Sequence, residues 1–441
     1  MGPGSPMKEL MYAGILLVSF IVSAQSVWTL YMTLYAWDRP PAEANAPDHF
    51  REPRLSFTAL LPARHEEDVI RGTIARLARV NYPPDLVQVL VICSADDHGT
   101  IDEAEAEIEL LREQGRDNFE TVVFSDGPVN KPHGLNAALA RATNDVIVIF
   151  DAEDDMHTDI LNVVNTVMEE EHVKVVQAGV QLMNFESTWY SALNVLEYFF
   201  WFRSRMHYHS RTGAMLLGGN TVFFDRDLIT RLGGWDEKIL TEDAEIGLML
   251  SAEGEHIRVV YDHRYVTKEE VPPTLKQFIK QRTRWNQGFI QCLHKGTWRQ
   301  LKTRKQRRLA FMTLVFPMGQ AVLGIYFAFA IFTMVSLKTP VLVALLSYIP
   351  VLIVLAHFLT TAIGLYDFTR AHGLKATPSA VVGLAIAWFP YQLVLAYASI
   401  RAVSRQVRGH LDWEKTAHVG AHRDAAADAP LGLDEVRENV A

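Results

Sequence analysis

The chain has 441 residues, a formal charge of −9 and two cysteines, Cys93 and Cys292. A composition of 49% hydrophobic and 21% charged residues excludes a disordered or collagen-like chain, and so few cysteines exclude a disulfide scaffold and fit a reducing compartment. The acidic balance argues against nucleic acid as a partner. A mean hydropathy near zero suggests two populations of residues, one membrane-like and one soluble.

Residues 1–6, MGPGSP, read as an expression scar. From Leu10 to Ala36 no residue is charged, and the stretch is long enough to span a bilayer. Its aromatic end, Trp28, Tyr31, Tyr35 and Trp37, favours a retained transmembrane helix over residues 10–37 rather than a cleaved signal. Residues 38–54 hold Pro40, Pro41, Pro47 and Pro53 among charges and read as a linker.

Residues 55–270 read as one α/β domain. The β-rich runs Leu55–Leu61, Val87–Cys93, Thr121–Phe124, Val146–Phe150 and Val173–Val180 alternate with helical stretches, which predicts a mostly parallel sheet covered by helices. Within it, residues 189–209 are dense in Trp, Tyr and Phe and carry Arg203 and Arg205. They predict an amphipathic helix lying in a membrane interface. Residues 271–308 predict further interfacial helices.

Three uncharged segments follow within 309–400: Leu309–Leu337, Thr339–Tyr366 and Ala376–Ile400. Each is long enough to cross a membrane. The basic flanks, Lys302–Arg308 and Arg370 with Lys375, put the α/β domain in the cytoplasm by the positive-inside rule. Arg401, Arg405 and Arg408 ask for a cytoplasmic tail as well, which conflicts with four full spans. A break at Pro390 in a re-entrant last segment is one resolution. The Ala- and Asp-rich end of the tail, 401–441, predicts disorder.

Ligands of open α/β sheets bind beyond the carboxyl ends of the strands. There the sequence places Pro62–Glu66, then Ser94–Asp97, then Asp151-Ala152-Glu153-Asp154-Asp155. Single acids here can be helix caps. Four carboxylates in five residues repel one another, and a hard divalent cation would offset that through oxygen ligation. Downstream, Thr241-Glu242-Asp243 opens a helical run. Thr241 is placed to cap it, and the helix N-terminus favours an ionised Asp243, as a general base requires. In Gln281-Arg282-Thr283-Arg284-Trp285, the residues Gln281, Arg284 and Trp285 share one helix face. Arginine forks onto phosphate, and a Trp ring carries a sugar face or closes a pocket. Lys276, Lys280 and Arg282 beside them also suit a helix lying on anionic lipid.

Taken in order, Pro62–Glu66, Asp96/Asp97, Lys131–Asn136, Asp151–Asp154, Gly218–Asn220, Thr241–Asp243 and Gln281–Trp285 resemble the family 2 membrane glycosyltransferases, among them cellulose, hyaluronan, chitin and poly-N-acetylglucosamine synthases. Ceramide glucosyltransferases share the later motifs. The resemblance implies a GT-A fold and an inverting, β-forming transfer from a UDP-sugar in the presence of Mg2+ or Mn2+. By the same resemblance Ala63, Glu66, Asp96 or Asp97, Lys131 and Asp151 contact the donor. Asp151 with Glu153 or Asp154 would hold the cation. Gly219 and Asn220 would border the acceptor. Asp243 would be the base beside Glu242, and Gln281, Arg284 and Trp285 would close over diphosphate and acceptor. His98 stands where the family commonly has Gly, and Asp-Ala-Glu-Asp replaces the usual Asp-x-Asp. Trp413-Glu414-Lys415-Thr416 resembles a tail motif of some bacterial members. The implied setting is a multi-pass protein of the plasma membrane, in contact with its lipids and open to homo-oligomers. A polysaccharide is the first acceptor expected and a membrane lipid the second; a non-catalytic scaffold is a distant third.

Overall fold

The computed structural model describes residues 6–37, 46–336, 343, 349–411 and 414. The expected scar up to residue 5, the linker up to residue 45, residue 337 and most of 338–348 at the start of the third apolar segment, and the tail from 412 on except Glu414, with Trp413 and Lys415 among them, lie outside the described residues.

Four short apolar runs become the parallel strands β1 (Phe57–Pro62), β2 (Val87–Ser94), β3 (Phe119–Phe124) and β4 (Val146–Ile149). Their alternation builds both faces. Ala59, Leu61, Val89, Val91 and Val148 enter one core, while Leu60, Leu90, Ile92, Ile147 and Ile149 enter the other. Helices α2 (Ile70–Leu77), α3 (His98–Glu113), α4 (Lys131–Leu139) and α5 (Ile160–Glu171) connect and cover these strands. The expected strand 173–180 is in fact two, β5 (Val175–Ala178) and β6 (Val180–Leu182), divided at Gly179. A Cβ at Gly179 would lie 2.8 Å from the Tyr261 ring, so the chain can turn there only without a side chain.

The sheet has seven strands in the order β3-β2-β1-β4-β7-β5-β8, where β7 is Val222–Asp225 and β8 is Ile257–Val260. Strand β7 is the antiparallel member, paired with both β4 and β5. Its start therefore lies at the carboxyl end of β4, with Val222 opposite Ile149. A small second sheet pairs β6 with β9 (Thr267–Glu269).

The aromatic segment is helical, as α6 (Ser191–Phe200), a π-turn (Trp201–Arg205) and α7 (Met206–Thr212). Its aromatic face does not lie open, however. Phe199, Phe200, Phe202 and Tyr208 are buried, and only Trp189 stands half-exposed. The apolar stripe packs on the helices described next, so protein covers much of the face expected to meet lipid.

Helix α1 (Pro6–Leu34), α8 (Arg226–Leu232), α9 (Glu242–Glu253), α10 (Leu275–Lys295), α11 (Arg304–Ser336), α12 (Ile349–Ala371) and α13 (Pro378–Val407) complete the chain. Among the described residues, two helices are long and apolar enough to cross a membrane, Glu9–Leu34 and Pro378–Val407. Pro390 lies inside α13 without breaking it, so the last segment is one continuous helix. Phe20 and Ile386 are each 72% exposed and Leu359 is 54% exposed, on α1, α13 and α12 respectively. Helix α13 packs on α10 and α11, while α12 packs on α1 and α6. The described part of the linker is pinned: Arg54 and Leu55 N–H both donate to Asn165 Oδ1 of α5 at 3.1 Å.

Candidate active site

A cavity of about 1000 Å³ opens where the carboxyl ends of β1, β2 and β4 meet the start of β7. It is lined by Ala63, Glu66, Lys131, Asp151, Glu153, Gly219, Asn220, Glu242, Asp243, Gln281, Arg284 and Trp285, which brings together most of the residues singled out from sequence. Asp96, Asp97 and Asp154 do not line it.

Two of these three, Asp97 and Asp154, have structural employment. Asp97 is buried and caps α3. Its Oδ1 accepts from Thr100 N–H and its Oδ2 from His65 N–H at 2.6 Å. That second bond holds the Pro62–Glu66 turn, where His65 adopts the left-handed φ of 53°. Asp97 therefore shapes the Pro62–Glu66 end of the edge from beneath. Asp96 beside it is exposed, and the Ser94 hydroxyl holds its carboxyl below the usual range. Asp154 is fully buried. Its oxygens accept from Asn220 Nδ2 at 2.7 and 2.9 Å and from Asp151 N–H at 2.8 Å. Burial first, then Glu269, pushes its pKa well up. A carboxyl so enclosed braces Asn220 and does not line the cavity where the cation is expected. Asp155 serves as a partner of Arg76 at 2.9 Å.

Asp151 faces the cavity, and Lys131 Nζ reaches it at 2.5 Å while donating to Gly219 O at 2.9 Å. Lys131 opens α4, whose cap is Asn130, so the cap aims the lysine across the β1–β4 edge. Burial pulls the Lys131 pKa down, but Asp151, Glu242 and Asp243 outweigh it and hold the ammonium charged. The glycine at 219 is required by closeness: a Cβ there would lie 3.3 Å from Asp243 Oδ2 and 3.7 Å from Lys131 Nζ.

Helix α9 presents Glu242 and Asp243 at its first turn. Thr241 makes no side-chain cap; its hydroxyl turns to Cys292 Sγ at 3.7 Å. Asp243 Oδ1 instead accepts from Ala244 N–H at 2.7 Å. The expected effect of the helix N-terminus is present but outweighed. Burial raises Asp243 above its ordinary value against the pull of Ala244 N–H, Lys131 and Arg284. Burial and then Asp243 raise Glu242 to about 7. Both carboxyls therefore hold a proton more readily than exposed ones, and the titration of each depends on the other.

Helix α10 brings Gln281, Arg284 and Trp285 over the same cavity. The roles of five further residues escape sequence reasoning. Arg282 stacks over Trp285, with its guanidinium carbon 4.6 Å from the ring centroid, and pairs with Glu197 at 2.5 Å. Tyr391 OH donates to the same Glu197 oxygen at 2.8 Å, and Tyr198 lies 6.2 Å from Trp285, ring to ring. These groups fix the orientation of the indole. Glu269 accepts from Asn220 at 2.5 Å. The helical register, with Arg282 one turn before Trp285, was the available signal for the first; the others come from distant parts of the chain.

The family model described as "Glycosyltransferase like family 2" matches residues 53–288. The chain belongs to that family. As a family 2 glycosyltransferase it is 29% identical over 244 residues to the probable glycosyltransferase YdaM of Bacillus subtilis, a match spanning 54% of this chain and 55% of that relative. It is 23% identical to poly-β-1,6-N-acetyl-D-glucosamine synthase of Staphylococcus epidermidis, covering 83% of this chain and 88% of the other. It is 24% identical to β-monoglucosyldiacylglycerol synthase of Synechocystis, covering 92% and 88%. Among solved structures, mannosyltransferase PcManGT from Pyrobaculum calidifontis, in complex with GDP-Man and Mn2+, superposes with a TM-score of 0.61 at 18% identity, over 88% of this chain and 99% of that one. The shared fold is the GT-A fold.

Proposed function

We propose that this glycosyltransferase moves a sugar from a nucleotide diphosphate donor to a hydroxyl of a membrane lipid, with inversion at the anomeric carbon. The lipid acceptor rests on one observation, the course of the cavity. One cavity takes in Asp243 together with Phe20, Ile21, Trp28 and Met32 of α1 and Phe311, Met312, Val315 and Phe316 of α11. A polar, carboxylate-rich end joined to an apolar cleft between membrane-type helices matches an amphipathic acceptor. The likeness to a glucosyldiacylglycerol synthase over most of both chains supports the same reading. By the basic flanks of α11, the catalytic domain lies on the cytoplasmic side of the plasma membrane in a multi-pass protein.

Asp243 takes the proton of the acceptor hydroxyl as that oxygen attacks the anomeric carbon, and the bond to the diphosphate breaks on the opposite face. An α-linked donor then yields a β-glycoside. Lys131 and Arg284 meet the charge of the departing diphosphate. Ala63, Glu66 and Asp96 flank the nucleoside end. Trp285, held by Arg282 and Tyr198, carries the acceptor beside Gly219 and Asn220. The oxygen donors suit a divalent cation, Mg2+ or Mn2+: Asp151 and Glu153 both line the cavity, and such ions need only one or two carboxylates when substrate phosphates complete the shell. When bound it supplies neutralisation of the diphosphate. Uridine is the expected base, from the resemblance.

Membranes containing the protein and radiolabelled UDP-glucose, UDP-N-acetylglucosamine, UDP-galactose or GDP-mannose test this. We expect a chloroform-extractable product, sensitive to a β-glycosidase. A high-mass, water-soluble polymer would replace the lipid acceptor by a growing glycan.

A further inference from the structure

We propose that Arg205, Lys305 and Arg308 form a subsite for a phosphate group of the lipid acceptor; this rests on the lipid-acceptor reading above. All three line the cavity. They come from two separate parts of the chain, the π-turn before α7 and the first turns of α11. They stand among the walls that connect the carboxylate end to the apolar cleft, with Trp28 and Met32 of α1 beside them.

Their charge is not balanced by the protein. The half-buried Arg205 spends Nε and Nη2 on a neutral group, Thr33 Oγ1, at 3.1 and 2.9 Å. The acid whose field reaches it, Glu197, is engaged by Arg282 at 2.5 Å and by Tyr391 at 2.8 Å. Lys305 Nζ lies 5.7 Å from the Tyr208 ring centroid. Among the described residues none of the three is ion-paired with a carboxylate, whereas two other cations of the cavity wall are: Lys131 with Asp151 and Arg282 with Glu197.

Two costs follow from that arrangement, and an anion removes both. Like charges sharing one cavity repel. Lys305 and Arg308 also sit at the N-terminus of a 33-residue helix, the end that disfavours cations. A phosphate here would accept forked hydrogen bonds from the arginines and face the positive end of α11. General attraction to anionic lipid accounts for exposed Lys305 and Arg308, but not for Arg205, which is held inside against α1.

The test uses the full chain in mixed micelles with phosphatidylglycerol or diacylglycerol of equal acyl chains. Both offer hydroxyls, and only the first adds a phosphate. We expect transfer to favour phosphatidylglycerol. In Arg308→Gln and Lys305→Gln that preference should fall about tenfold, the effect of one charge-assisted hydrogen bond, through KM for the lipid and not for the donor. Arg308→Lys should keep most of it. An equal loss on both lipids, no preference in the unmodified protein, or a rise in donor KM would overturn the subsite. Native mass spectrometry of retained lipid separates this from the reading beneath it. Phosphatidylglycerol retained by the unmodified protein, lost in Arg308→Gln, yet never glycosylated would keep the subsite and sink the lipid acceptor. Equal retention in both would mark it as annular lipid and sink the subsite.

Discussion

Asp243 Oδ1 is held by Ala244 N–H, which leaves Oδ2 directed at Gly219 and the cavity. Asp243→Asn keeps the shape and that bond but removes the basic oxygen. We expect kcat to fall by about 10²–10⁴-fold, with nucleotide binding measured by calorimetry preserved. The pH profile follows from the raised pair. A base works deprotonated, so turnover should climb as pH rises toward about 7 and level off above it, where the Glu242–Asp243 pair has lost its proton. Glu242→Gln removes one negative charge beside the base, which lowers the Asp243 pKa, so the acid limb of the profile should shift to lower pH. A limb that stays in place would assign the titration elsewhere. At this scale the sequence showed which residues matter better than what they do. The motifs carrying Asp151, Asp243 and Trp285 were legible because each is a local cluster. The work of Asp97 and Asp154 was not, because His65 and Asn220, their partners, sit 32 and 66 positions away.

At the level of elements, the site depends on how closely α10 approaches the N-terminus of α9. Gly288 of α10 faces Thr241, and a Cβ there would stand 2.3 Å from Thr241 Oγ1. Gly288→Ala must push the helices apart. We expect a stability loss of about 1–3 kcal/mol by chemical denaturation, with transfer falling further than that loss explains. Unchanged stability and rate would mean that Thr241 yields freely. Strand β7 shows why element-level prediction stopped short. Val222–Asp225 is four residues long and pairs antiparallel between β4 and β5, a placement that its own pattern does not encode. Yet that strand carries Gly219 and Asn220 to the edge where Asp151 and Asp243 wait. The aromatic helix failed in the opposite sense. Its amphipathic pattern was correct, but a pattern cannot say whether the apolar face meets lipid or protein, and here α12, α13 and α1 reach it first.

For the whole molecule, α1, α12 and α13 carry large exposed apolar side chains, among them Phe20, Leu359 and Ile386. We expect the chain to stay with membranes through alkaline carbonate extraction and to be released only by detergent. Release by carbonate alone would mean that these helices are covered by protein instead. The tail is tied to the same assembly. Glu414 accepts from Arg401 at 2.6 and 2.7 Å, and Arg405 donates to Gln287 of α10 at 3.1 Å. Arg401 and Arg405, two of the basic residues that looked like an orientation signal, lie within α13 and have partners inside the protein.

The sequence by itself determined the α/β class, the apolar character of the flanking segments and the chemical inventory of the candidate site. Those are properties of runs and periods, where each residue's neighbours in the chain are its neighbours in space. Tertiary structure alone decided which acids face the cavity and which brace it, that Arg282 and Glu197 hold Trp285, and that the catalytic end opens into a cleft between α1 and α11. These depend on contacts between residues far apart in sequence, and on burial, which sets the protonation of Glu242 and Asp243 and is a property of the folded chain.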